Sequence, residues 1–201
     1  LRLGADVSFP LWELDVRAEA AVTHGDETTY FRGVPEALLD TEPYSRKKDW
    51  IPQAVVGVDY SFLYSDEDSL TVGAEYFFND AGYDDPRYYP ALFVSGTFTP
   101  LYAGRHYAAF YASAMGPGRW NDTTLIASAI GNLSDRSWLA RFDYRVRLLT
   151  YLDVNAFVDW HFGEYGEFRL GMDAPDVDPA ELEARGIPAE VAQALATNSI
   201  P

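Results

Sequence analysis

The stretch Trp138–Gly163, WLARFDYRVRLLTYLDVNAFVDWHFG, decides the fold. Wound as a helix, it would scatter its charges around the whole cylinder. Laid out as strands, it puts every second residue on one face. Two strands joined about Thr150 give an apolar row of Trp138, Ala140, Phe142, Tyr144, Val146 and Leu148. Leu152, Val154, Ala156, Val158, Trp160 and Phe162 form the neighbouring row. The opposite face then carries Arg141, Asp143, Arg145 and Arg147, followed by Asp153, Asn155, Asp159 and His161. A symmetric turn about Thr150 sets Arg147 against Asp153, Arg145 against Asn155 and Arg141 against Asp159. Unlike charges directly across strands contribute ~0.2–1 kcal/mol each.

The same alternation runs through the first half of the chain. Leu1, Leu3, Ala5, Val7 and Phe9 share a face, and after Pro10 and Leu11 the phase restarts with Trp12, Leu14, Val16, Ala18, Ala20 and Val22. Glu13, Asp15, Arg17 and Glu19 fall on the other side. A break at Pro10–Leu11 puts Arg2 opposite Glu19 and, less comfortably, Asp6 opposite Asp15. A second hairpin sets Pro52, Ala54, Val56, Val58, Tyr60 and Phe62 beside Leu70, Val72, Ala74, Tyr76 and Phe78. Its polar face holds Gln53, Gly57, Asp59 and Ser61, then Thr71, Gly73, Glu75 and Asn79. Residues 24–50 and 79–90 read as long polar connections, the first with a helical turn around Pro35–Leu39. Beyond them, ALFVSGTFT, RHYAAFYASAM and TTLIASAIG read as strands, and GPGRWND and NLSDRS as turns. EFRLGM reads as one more strand. The remainder, 173–201, reads as a loop or tail with short helices, with Asp178 and Pro179 opening one and Gly186 closing it.

This makes eight to ten strands over 1–172. Most are roughly nine to twelve residues long, where soluble strands average ~5–6 and a tilted strand needs ~9–11 to cross a bilayer. No run approaches the ~18 apolar residues of a spanning helix. The 201 residues include no Cys, so disulfides and Cys-based metal sites are excluded. A net charge of -16 disfavours nucleic acid as a partner. The three His have no second ligand at metal spacing, and no phosphate loop or nucleophile elbow occurs, so neither a cofactor nor an enzyme activity is expected.

Alternation alone does not say which face meets water. In a soluble sandwich or lipid-binding barrel the apolar row points inward; in a membrane barrel it points outward to lipid. Strand length, opposed charges, and aromatic residues near strand ends with Ala, Val and Leu between them favour the membrane.

On GADVSFPLWELDVRAEAAVTHG, VVGVDYSFLYSDEDSLTVGAEYFFNDAGY and LARFDYRVRLLTYLDVNAFVDWHFG, the chain resembles bacterial outer-membrane β-barrel proteins of the porin-like kind. FTPLYAGRHYAAFYASA resembles members whose substrate is unassigned. The resemblance implies an all-β, transmembrane antiparallel up-and-down β-barrel in the outer membrane, surrounded by lipid and open to association with other subunits of a membrane complex. Such barrels end on a strand with a terminal aromatic residue. The ending ATNSIP, with a start inside a strand, gives the expectation of a fragment or partly observed chain. The implied function is a pore or channel for small solutes or ions, lined by Glu13, Asp15, Arg17, Glu19, Asp59, Glu75, Arg141, Asp143, Arg145, Arg147, Asp153, Asn155, Asp159 and His161. Two other readings stay open. One is a non-conducting barrel that anchors a partner complex, with the charged residues as a neutralised plug. The other is a soluble lipid-binding barrel.

Overall fold

The computed structural model describes residues 1–33, 41–65, 68–169 and 180. Ten strands form among them: β1 (Arg2–Leu11), β2 (Leu14–His24), β3 (Thr29–Arg32), β4 (Glu42–Ser45), β5 (Trp50–Leu63), β6 (Ser69–Asn79), β7 (His106–Met115), β8 (Thr123–Asn132), β9 (Ser137–Leu148) and β10 (Leu152–Gly163). Eight of them make one antiparallel sheet in the order β1-β2-β5-β6-β7-β8-β9-β10, and β3 and β4 form a separate hairpin. Chain neighbours are sheet neighbours throughout, as in an up-and-down meander. The sheet is open: β1 pairs only with β2 and β10 only with β9. Closure into a barrel, implied by the resemblance, is thus absent among the described residues. No helix among them is long and apolar enough to cross a membrane.

The two ends of the sheet differ. At one, the turn end, short links run through Trp12–Glu13, 64–68, 116–122 and 149–151. At the other, the loop end, long connections span 25–49 and 80–105, with a short turn at 133–136 between β8 and β9.

Register keeps one parity across all eight strands. The apolar row runs from Val7 and Ala18 through Val56, Tyr76, Ala108 and Gly131 to Trp138 and Phe162. Many of its bulky residues are exposed, among them Val7, Val56, Phe110, Phe142, Val158 and Trp160. Hydrophobic burial lies instead in the connections, where Tyr89, Leu92 and Ala103 pack with Phe31, Tyr83 and Phe98. Among the described residues, little of the apolar side is buried by the chain itself.

Several sequence expectations are corrected. Between β1 and β2 the turn is Trp12–Glu13, with Leu11 facing Leu14, so neither Trp12 nor Glu13 is on a strand face. The register moves accordingly: Arg2 faces Thr23 and Asp6 faces Glu19. Pro10 is not the break: it stands in β1 opposite Asp15 and, like Pro52 of β5, lies near a strand end. The connection at 24–50 carries the β3–β4 hairpin. ALFVSGTFT is not a strand: a 3-10 turn over Pro86–Tyr88 leads into helix α1 (Tyr89–Ser95). Asp85 caps that turn, Pro90 sits in the first turn of α1, and Gly96 closes the helix at φ 70°. A short unbroken apolar run has no period that separates helix from strand, and these end signals decide it. Glu167–Arg169, the start of EFRLGM, forms a bend. Its remainder, the turn at Pro35–Leu39, and Asp178, Pro179 and Gly186 lie outside the described residues.

Candidate functional site

The polar row forms a wall that carries two charged clusters, separated by β7 and β8, which place no charged side chain on it; the first is built on β2, β5, β6 and β7. Arg17 is in register with Gly57, which faces Glu75 on β6. Asp59 faces Gly73, which faces Tyr111 on β7. Both glycines leave room for long side chains from the flanking strands. Arg17 therefore reaches Asp59 Oδ2 through Nη1 at 2.9 Å and Glu75 Oε1 through Nη2 at 2.9 Å. The Tyr111 hydroxyl donates to Asp59 Oδ1. A Cβ at Gly73 would collide with Asp59 Oδ1 and the Tyr111 ring. At Gly57 the nearest atoms would be Arg17 Nε at 3.0 Å and Glu75 Cγ at 3.1 Å, both on flexible chains. These glycines weaken isolated strands, yet they are what the cluster requires.

A second cluster lies on β9 and β10, in the register expected from the turn about Thr150. Arg141 Nε donates to both carboxylate oxygens of Asp143, at 3.0 and 2.9 Å, and its guanidinium lies 4.1 Å from the Phe157 ring centroid. Asp159 is 3.7 Å from Arg141 Nη1. Asp153 takes both Arg147, at 3.0 Å, and Arg145, at 3.5 Å. Asn155 faces Arg145. His161 stands at the loop end, its Nδ1 on the Phe168 carbonyl. Asp15 and Glu19 share the wall with the Arg17 cluster and have no ion pair among the described residues. Glu13, in its turn, accepts a hydrogen bond from the Tyr60 hydroxyl at 2.9 Å. So the wall holds thirteen of the fourteen expected residues.

At the loop end the wall is covered. The β6–β7 connection folds inward over it, and the segment after β10 joins it. Asn79, Tyr107, Asn132 and Ser137, all on the wall, are buried beneath this cap. Asn132 Nδ2 lies within hydrogen-bond reach of Tyr89 Oη at 2.8 Å, Asp135 Oδ2 at 2.9 Å and Glu167 Oε2 at 3.0 Å. The Tyr89 hydroxyl donates to Asp135 at 2.9 Å, and the Tyr107 hydroxyl to Glu167 at 2.6 Å. Leu101, in the left-handed region at φ 66°, donates its N–H to Glu167 Oε1. Asn79 holds the same connection from the other side, donating to the Tyr102 carbonyl at 3.1 Å. Burial pushes the Glu167 carboxyl above the usual range, against the lowering effect of its three donors. Burial likewise raises the Tyr89 phenol. A cavity of about 300 Å³ remains under the cap, between Leu101 and Tyr102 on one side and Val55, Glu75 and Phe77 on the other.

Tyr111 and the cap residues escaped sequence reasoning. Tyr111 sits in a strand with aromatic or apolar residues on nearly both faces. Asn132 and Asp135 read as turn residues, and Glu167 as the first residue of a strand, until the loop path brings them together. Among the described residues, no group of three or more His, Asp and Glu side chains is placed to hold a metal ion. No protein-family model, curated protein or solved structure matches the chain.

Proposed function

We propose that the chain forms the wall of an outer-membrane β-barrel, with its apolar row against lipid and its charged row lining a passage for small solutes or ions. The observation that carries the reading is the apolar row itself. It crosses all eight strands in one parity with many of its large residues exposed, while at the loop end the connections pack over the opposite, charged side.

Its dimensions suit a bilayer. From Leu152 to Phe162 at ~3.4 Å per residue, tilted by about 40°, the row is about 26 Å tall, near the ~25 Å band of such barrels. Aromatic residues mark both margins: Trp50, Phe78, Trp138 and Trp160 toward the loop end, and Phe9, Tyr60, Phe62 and Tyr144 toward the turn end. Ala54, Val58, Ala74, Ala127, Ala140 and Ala156 lie between. Short turns then face the periplasm and the long connections face outward.

Unpaired edges are not tolerated in hydrocarbon, so further strands complete the barrel along β1 and β10. Eight strands closed on themselves leave an interior just wide enough for side chains. The two arginine clusters would fill such an interior, and a passage therefore needs the larger ring. In it, the clusters keep Arg17, Arg141, Arg145 and Arg147 beside carboxylates, and the cap narrows the outer mouth.

Reconstitution into a planar bilayer tests the proposal: discrete current steps are expected. A folded, lipid-inserted preparation that passes no current would leave the anchoring barrel, a reading the inward cap and dense ion pairing also suit. A soluble lipid-binding barrel would enclose the apolar row, and partition into the aqueous phase without detergent would identify it.

A further inference from the structure

The β3–β4 hairpin and the β6–β7 connection enclose a cleft of about 300 Å³ at the loop end, apart from the charged wall. Its lining combines aromatic rings with matched ion pairs. The rings of Tyr30, Tyr44, Tyr83 and Tyr88 line it, and three of them are fixed through their oxygens. Tyr30 donates to Asp26 at 2.5 Å, Tyr83 accepts the Phe31 N–H at 2.8 Å, and Tyr88 donates to the Gly33 carbonyl at 2.5 Å. Three arginines and three aspartates share the same lining. Arg46 pairs with Asp80 at 2.5 Å and lies 5.3 Å from the Tyr30 ring centroid. Arg105 Nη1 pairs with Asp84 at 2.7 Å, while its buried Nε–H finds no partner among the described residues. An unpaired buried donor is uncommon and calls for a reason outside the fold's own hydrogen bonding.

The chemistry of this lining selects a ligand class. A phosphate or carboxylate would meet as many aspartates as arginines. A purely apolar ligand would leave the ion pairs without hydrogen-bonding partners as it desolvated them. A hydroxyl is both donor and acceptor, so one polyhydroxylated molecule serves carboxylate and guanidinium together. Its C–H faces cover rings whose own oxygens are already tied down. Pockets that hold small ligands have this character: aromatic walls with a few fixed polar groups. We propose that the cleft binds a neutral sugar ring of an oligosaccharide presented at the outer face, held between the tyrosine rings and the Asp84–Arg105 pair.

The test uses the chain refolded in detergent micelles, applied to an array of neutral and acidic oligosaccharides, with retained neutral glycans then titrated calorimetrically. Retention of neutral glycans is expected, with Tyr44→Ala and Asp84→Ala each weakening binding at least tenfold. Asp84 is half exposed, so Asp84→Asn supplies the same test should an alanine variant fail to fold. No retained glycan, preference for acidic glycans alone, or binding unmoved in the folded variants would overturn the proposal. None of these results bears on whether the barrel conducts.

Discussion

Replacing Val56 with arginine places a charge where the outer-membrane reading puts the middle of the bilayer. Val56 is on β5 in the apolar row, midway between Trp50 and Phe62. At ~3.4 Å per residue and about 40° of tilt, each aromatic margin is about 16 Å away in depth. The side chain is 47% exposed and its cross-strand neighbours are Ala18 and Tyr76, so an arginine meets no steric barrier. Facing lipid, Val56→Arg costs ~2–4 kcal/mol, whereas Leu152→Arg, at the turn-end margin of the same row, costs ~0–1 kcal/mol. Facing water, both stay within about 0.5 kcal/mol. The expected gap of about 2–3 kcal/mol is roughly a 30- to 140-fold difference in the unfolding equilibrium. Denaturant titration in phospholipid vesicles, followed by tryptophan fluorescence, measures it. Equal midpoints for the two variants, at unchanged slope, would refute the reasoning.

Three more outcomes follow from the wall and the cap. Gly73→Ala displaces the Asp59 carboxylate and the Tyr111 ring, so it lowers the unfolding free energy measured by denaturant titration by about 1–3 kcal/mol, clearly more than Gly57→Ala. Asn132→Ala leaves Asp135 and Glu167 short of a shared buried donor. It costs about 1–3 kcal/mol, and in a planar bilayer it raises the open current by loosening the cap. Glu167 has a folded pKa above its ordinary value, so its contribution to cap stability is fully present below that ordinary value and is lost as pH rises through the raised one. Hydrogen exchange at the Leu101 amide, corrected for intrinsic base catalysis, should quicken across that window in the native chain and not in Glu167→Gln. A profile shared by both would contradict it.

Much of the sheet was legible because period-2 alternation encodes it directly. The β9–β10 register follows from one assumption, a turn about Thr150, since the arginines and aspartates on either side match only there. On β1–β2 Pro10 looks like a break, yet it stands within β1 and the turn comes two residues later, at Trp12–Glu13. Residues 91–99 misled for another reason: a short apolar run carries no period, and the signals that make it helical, Pro90 and Gly96, stand at its ends. Of the wall, single side chains could be read from parity. The wall's organisation could not, since Gly57 and Gly73 matter by what they leave empty and Tyr111 by what lies two strands away. The cap was invisible for a related reason. Asn132, Asp135 and Glu167 converge through loop paths, and local periodicity says nothing about where a loop goes.

The most direct test of the central claim uses the absence of native cysteine. Single cysteines introduced in turn from Ala54 to Phe62 on β5, spin-labelled in lipid vesicles, report contact with oxygen dissolved in hydrocarbon and with a water-soluble nickel complex. Lipid facing the apolar row predicts that oxygen contact peaks at 54, 56, 58, 60 and 62, deepest near 56, with nickel contact excluded there. Nickel contact at those positions, or shielding from both reagents, would contradict it.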